Sequence, residues 1–424
     1  MTKRLILAFV FLSWHLVACS NGDSGISSGL PDKPSAEEDS PGTETISEEM
    51  RVKITGEDLY ISAKLDAKTD ILYWFKKCMF NELFTFYRVG TIDNNMPAPA
   101  TLPDASPTSL LNLAYSDNIG PFNITGYGWC GGNHPYLDEV TQTARNIGYR
   151  IYIDGKEIKT DLSTLTKEIK IEVINEIMNP SKADTSSGKT LLNEILCIET
   201  VNYSIYRNNI QVLVTHEFQN ESPVTVQMYY GMQSMFDKET HTLTANGKYV
   251  DWTVQKDVST FTKKEYPSFR RFIEKSANVY QSSYLFADGL GNHEEISDDD
   301  IIFIGNSSNK TYHKIIADRE HKKGDIIHWS GVYTWFKSPV SDDDDLLCYE
   351  GVIDNKKVLF IDCKKNVDRT IQLPVDYTKK SFTIIEKSKS ITITGNKVTA
   401  KGLRIVSDGS GSCCLLYTSP SPRD

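Results

Sequence analysis

The chain lacks most of the short patterns that announce a known chemistry. It has no G-x-S-x-G turn, no Walker loop, no H-E-x-x-H helix and no dinucleotide fingerprint, which argues against serine-hydrolase, NTPase, zinc-protease and nicotinamide chemistry. None of its eight cysteines forms a C-x-x-C pair, so no metal site is expected from spacing. Helical periodicity is scarce: only 265–281 could carry a helix, entered at Tyr266-Pro267, and even that run can be extended. No repeat of fixed period is visible, which speaks against a propeller. Gly (26) and Pro (16) are too few among 424 residues for a fibrous or wholly disordered chain. No cofactor is called for by any of these patterns.

Strand signals fill the space left by the missing helices. The run "KEIKIEVINEI" alternates and sets Ile169, Ile171 and Val173 on one face. "NNIQVLVTHEF" aligns Ile210, Val212 and Val214, a register that carries His216 onto the same apolar face. "SPVTVQMYYG" aligns Val224, Val226, Met228 and Tyr230 after the turn "QNES", and the two runs read as an antiparallel hairpin. Further turns are expected at 354–357 and at Gly395-Asn396. With 21 Tyr, 17 Phe and many Thr, Val and Ile, the composition favours sheet. Strands spaced by about ten residues point to sandwiches. The expected fold class is all-β: an antiparallel β-sandwich or supersandwich over 51–295, followed by a smaller C-terminal β domain over 296–412.

The two ends read differently from the body. Lys3 and Arg4 precede the apolar run Leu5–Val17, a secretory signal too short for a comfortable transmembrane helix. The following "LVAC" resembles the lipobox of bacterial lipoproteins. That resemblance implies a signal peptide over 1–18, lipidation of Cys19, and a membrane partner engaged through this anchor. Residues 20–49 hold eight acidic residues and one basic one among Ser, Gly, Pro and Thr, the composition of a flexible acidic tether over 19–50. An acidic stretch after a lipidated Cys resembles the export signal of surface-displayed lipoproteins in Gram-negative glycan-degrading bacteria. The implied location is the outer membrane, facing outward. The net charge of −10 is mostly that tether, so the folded part is only mildly acidic and no nucleic-acid partner is expected. At the other end, Cys414–Asp424 reads "CLLYTSPSPRD", which resembles a translated transposase sequencing adapter. It is taken as an artefact tail over 413–424 that contributes nothing to the fold. Five structural cysteines remain, of which Cys348 and Cys363 flank a hairpin and could pair across it.

The densest chemistry lies at 129–136, "WCGGNHPY". Gly131 and Gly132 permit positive φ, Asn133 offers amide donors and an acceptor, and His134 exchanges a proton near neutrality. Trp129, Tyr127 and Tyr136 supply flat faces of the kind sugar C–H surfaces need, and Arg145 and Arg150 could hold a uronic carboxylate bidentately. The alternative is a tight turn, internally hydrogen-bonded. A second cluster comprises His216, Glu217, Tyr229, Tyr230 and Gln233. If the clusters meet, His134, His216 and Tyr230 would suit acid–base work beside a carboxylate, with Trp129, Asn133, Tyr136, Arg145, Tyr229 and Gln233 binding the ligand. "DILYWFKKCMFNELFTFYRVG" (70–90) reads as a core strand or as a platform carrying Trp74 and Tyr87. The acidic runs 297–300 and 341–345 lack calcium-loop spacing and read as solvated turns.

In pattern, the Gly-Asn-His loop with His- and Tyr-bearing long strands is similar to the supersandwich of galactose-mutarotase-like proteins, a fold also used by polysaccharide lyases and epimerases. The similarity implies architecture, not a reaction. The expected function is a cell-surface lipoprotein that recognises or processes extracellular glycan. Its rivals are a polysaccharide lyase or sugar epimerase using a His/Tyr acid–base pair, and a structural or adhesion lipoprotein without a small ligand.

Overall fold

The structure, a computed structural model, describes residues 46–101, 109–113, 119–235, 241–243, 249–251, 259–262, 271–276, 278–286, 301–305, 310–374, 377 and 380–418. Cys19, its signal, the tether as far as residue 45, the acidic run 297–300 and part of the run 265–281 lie outside them, whereas Met50, at the end of the expected tether, opens a strand and is buried.

Three large antiparallel sheets build the body. The first has six strands, in the order Leu162–Thr166, Met50–Thr55, Asp58–Asp66, Thr69–Cys78, Leu83–Asp93 and Ser109–Leu113. The second has ten, and its centre runs Val279–Leu285, Ile326–Phe336, Asn209–Phe218, Ile195–Tyr206, Ile169–Met178 and Ala144–Ile153. The third has six and includes Lys310–His321, Val224–Met235, Phe122–Ile124 and Gly128–Cys130. Alternation decides which side each strand buries: Ile169, Ile171 and Val173 go inward, as do Ile210, Val212 and Val214. One inner face of the ten-stranded sheet packs on both six-stranded sheets. Tyr203 meets Phe75 and Phe86 of the first sheet edge-on, and Phe218 and His216 meet Phe122 of the third. All three contribute to one continuous core. The chain is an all-β antiparallel sandwich.

The opposite face of the ten-stranded sheet is covered in turn. Tyr280, Tyr284, Val332 and Phe336 pack against Leu347, Tyr349, Phe360 and Cys414 of a C-terminal five-stranded sheet. That sheet's far side closes a further core with a three-stranded sheet.

Four expectations change. The strands Ile301–Gly305, Lys310–His321 and Ile326–Phe336 belong to the large sheets, so the C-terminal module begins near 340, not 296. The runs 209–218 and 224–235 are not a hairpin. They sit in different sheets, and the "QNES" turn carries the chain from one layer to the other. Cys348 and Cys363 are buried thiols opposite Ile361 and Leu346, not opposite each other. Finally, residues 413–417 are no tail. The strand Gly411–Thr418 pairs with both Lys356–Cys363 and Ser381–Lys387. Both of its faces are covered, and a slot of that kind takes a continuous apolar run such as "CCLLY". The turn expected at 354–357 is present, with Asp354 and Asn355 both at positive φ.

Candidate functional site

The 131–136 turn is clamped by another turn. Asn81 sits where the strands Thr69–Cys78 and Leu83–Asp93 are joined, and its side chain is buried. Its Nδ2 donates to the carbonyls of Gly132 (2.8 Å) and His134 (3.1 Å), and its Oδ1 accepts from the amide of Thr143 (3.0 Å). Thr143 Oγ1 accepts from the amide of Gly131 (3.0 Å) and donates to the carbonyl of His134. Asn133 Oδ1 takes the amide of Phe80 at 2.8 Å. Positive φ at Gly131 (77°) and Gly132 (51°) lets the backbone turn these groups inward. The glycines and amides of "WCGGNHPY" are therefore spent on holding the turn, and Asn133 is a structural clamp.

What remains for solvent is a set of rings. Trp129 lies with its ring 5.3 Å from His134 at 24° and 5.7 Å from Tyr230 at 24°, so the three form a stack centred on the indole. Each is half-buried. Tyr230 reaches this side because of a bulge. Val226 pairs with Ile124 and Met228 with Asn123, so Gln227 is an extra residue and the parity flips after it. Tyr229 turns inward and Tyr230 outward, the reverse of the sequence expectation. Gly120 permits this packing: at φ 104°, a Cβ there would lie 1.3 Å from the Tyr230 carbonyl oxygen. Leu137 (67% exposed) lies beside Gly128, and Tyr127 is exposed.

The other expected residues do not join them. His216 is fully buried, with Nε2 2.9 Å from Glu199 Oε2 and its ring edge-on to Phe122 and Tyr229. Phe122 and Tyr229 face inward from the third sheet, whereas Trp129 and Tyr230 face outward. The sheet thus separates His216 from His134, and a single His134–His216–Tyr230 acid–base centre is not formed. Tyr229 donates to the carbonyl of Ile119 (2.6 Å) and accepts from Trp329 Nε1 (2.8 Å). Burial, reinforced by the Glu199 charge, pushes its phenol far above the usual tyrosine range. Gln233 is buried as well. Arg145 pairs across the ladder with Glu176, and Arg150 with Glu172 at 3.3 Å, so both guanidinium groups already hold carboxylates. Tyr136 is half-buried, and its backbone closes the next turn with Thr141 and Glu139. The run 341–345 is engaged too: Asp342 with Lys364, Asp343 with Arg369 and Asp345 with Lys365.

Sequence reading missed a polar row across the ten-stranded sheet. Asn146 Nδ2 donates to Asn175 Oδ1 (2.9 Å), Asn175 Nδ2 donates to Glu199 Oε1 (2.8 Å), and Glu199 holds His216. These residues are register partners on four neighbouring strands. The available signal was parity: Asn175 continues the inward series Ile169, Ile171, Val173, where an amide has no reason to be unless something buried needs it.

No protein-family model matches the chain, and no curated protein matches it. Among solved structures, it is similar to a glycoside hydrolase family 36 α-galactosidase from Geobacillus stearothermophilus, at 10% identity and a TM-score of 0.37, over 68% of this chain and 41% of that one. It is also similar to a family 97 glycoside hydrolase from Pseudoalteromonas sp., at 6% identity and a TM-score of 0.35, over 69% and 37% respectively. A heparan sulfate lyase from Pedobacter heparinus superposes at 6% identity and a TM-score of 0.27, over 74% and 41%. The chain spans less than half the length of each of these structures. Superposition at that level carries no information about activity.

Proposed function

We propose that the protein recognises extracellular glycan, with Trp129 as the central contact. The observation that carries this reading is the stack of three half-buried rings, His134, Trp129 and Tyr230, on a backbone clamped by Asn81. Flat aromatic faces on a rigid support suit the C–H faces of sugar rings, and little side-chain freedom is lost on binding. Lipidation at Cys19, with residues 20–49 as a tether, would hold this surface at the outer membrane facing the medium. An acid–base function is not favoured, because the second histidine is sealed in the core.

Binding to a glycan array, followed by titration calorimetry on the hits, tests the reading. Trp129→Ala should abolish or strongly weaken glycan binding while the fold melts as a unit. Retained binding in that variant would remove Trp129 from the site, and an empty array together with a captured protein partner would replace glycan recognition by an adhesion role. Membrane fractionation of Cys19→Ala tests the anchor: the variant should move from the membrane to the soluble fraction.

A further inference from the structure

We propose a second glycan-binding surface, selective for acidic saccharides, on the outer face of the first six-stranded sheet. The proposal rests on the glycan-recognition reading but uses none of the same residues. The strand Thr69–Cys78 buries Ile71, Tyr73 and Phe75 and turns Trp74 and Lys76 the other way. Tyr60 is the register partner of Trp74, and their rings stack at 5.3 Å and 27°. On the other side Trp74 pairs with Arg88, while Phe75 pairs with Phe86. Tyr87 is thus the extra residue of a bulge, and its ring stands edge-on to Trp74 at 5.0 Å and 86°. Trp74 Nε1 donates to Asp58 Oδ1 at 3.0 Å, which fixes the indole. Three half-buried rings on a sheet form a preorganised apolar floor.

The charge on this floor identifies the ligand class. Lys76 Nζ lies 4.4 Å from the Trp74 ring centroid and 4.2 Å from that of Tyr87. The Arg88 guanidinium lies 4.8 Å from the Tyr87 ring and donates to the Tyr87 hydroxyl at 3.3 Å. Among the described residues, neither cation forms an ion pair with a carboxylate, although the chain as a whole is acidic. Arg145, Arg150, Lys364 and Arg369 all do. Two adjacent cations held over aromatic faces, neither of them in an ion pair among the described residues, suit a carboxylate or sulfate on a sugar whose ring lies on Trp74.

The rest of the face is closed by design of the chain. Residues 94–101 lie across it, pinned by Asp70, which accepts from Asn94 Nδ2 and the amide of Ala100, each at 2.7 Å. Lys64 binds Asp70 (2.9 Å) and the carbonyl of Asn94 (2.6 Å), and Arg51 donates to the carbonyl of Pro99 (3.2 Å). Ser62, Lys64, Asp70 and Leu72 are buried beneath that loop, and Tyr60, Trp74, Lys76, Tyr87 and Arg88 are not.

Affinity electrophoresis and calorimetry with polygalacturonate, its fully methyl-esterified neutral form and chondroitin sulfate test the proposal. The wild-type protein should bind at least one acidic polymer, more weakly as salt rises, and should bind the esterified form least. The double variant Lys76→Gln/Arg88→Gln, which leaves the core untouched, should lose about tenfold in affinity for the acidic polymer. Lys159→Gln, at an exposed lysine elsewhere on the surface, should leave that affinity unchanged. Equal binding of the esterified form, or an unchanged double variant, overturns the acidic surface. If the double variant is unchanged while Trp129→Ala loses all glycan, the second surface fails and the glycan reading stands. If no glycan binds to any form, that reading fails. Lys76-dependent binding to phosphatidylglycerol vesicles, without binding to either acidic polymer, would assign the face to a membrane instead.

Discussion

The imidazole Nε2 of His216 lies 2.9 Å from Glu199 Oε2, directly across the ladder between two central strands, and both side chains are shut inside the core. The contact is one link of the row that runs through Asn175 to Asn146. A buried pair of this kind adds little net stability over an apolar pair, but removing one partner leaves the other stranded. His216→Ala should therefore destabilise the protein by about 3–5 kcal/mol. Urea denaturation followed by tryptophan fluorescence measures it. A loss below about 0.5 kcal/mol, the scale of an ordinary surface change, would mean the pair carries no structural load. In either case glycan binding by the folded fraction should persist, because the third sheet stands between His216 and the Trp129 stack.

Asn81 makes a more local prediction. Its one amide satisfies two carbonyls and an amide of the glycine turn. In Asn81→Ala these buried groups lose their partners, at about 1–3 kcal/mol each before water enters. Hydrogen exchange should then accelerate over 131–144, and glycan binding should weaken even though no binding ring has been touched. Unchanged exchange there would show that Thr143 alone suffices to hold the turn.

Acid stability should report on His321. Its ring is stacked on Phe218 at 4.4 Å and 6°. Burial first, then the charge of Arg319, depress its pKa to about 4, against an opposing effect of Asp325. In the unfolded chain the same imidazole takes its proton near pH ~6.5. Between those two values the unfolded state binds more protons, so stability is complete above about pH 6.5 and falls as the solution is acidified toward pH 4, by about 2–3 kcal/mol. His321→Phe keeps the stacked ring and should flatten that slope. Asp343, held down to about 2 against its burial by Arg369 and backbone amides, acts only at lower pH and so does not obscure the comparison.

Much of this arrangement could be read from parity alone. The all-β class, the inward stripes at 169–173 and 210–214 and the burial of His216 all follow from period-two alternation, which a regular strand obeys. Reading failed where the strand is irregular or where pairing is decided at long range. The bulge at Gln227 exchanged the roles of Tyr229 and Tyr230, and the bulge at Tyr87 carried Arg88 onto the outer face beside Trp74, where alternation from Phe84 and Phe86 would turn it inward. One extra residue reverses every later side chain, and nothing in the local composition marks it. The 209–218 and 224–235 runs have identical hairpin chemistry whether they pair with each other or cross between layers. Only the partners, Ile195–Tyr206 with Ile326–Phe336 and Phe122–Ile124 with Lys310–His321, decide it. The Trp129 stack needed both facts, so only its members were legible and not their union.

The C-terminal strand yields the last prediction. Cys413 and Leu415 point into one core and Cys414 into another, with the Tyr417 ring tilted against that of Tyr377 at 4.3 Å. Ending the chain after Ser412 removes the partner of both Lys356–Cys363 and Ser381–Lys387. Each large apolar side chain lost is worth about 1.5–3 kcal/mol of burial, more in sum than a module of this size can forgo. Limited proteolysis should then cut within 340–412 while the large sandwich survives, whereas ending the chain at Thr418 should change nothing.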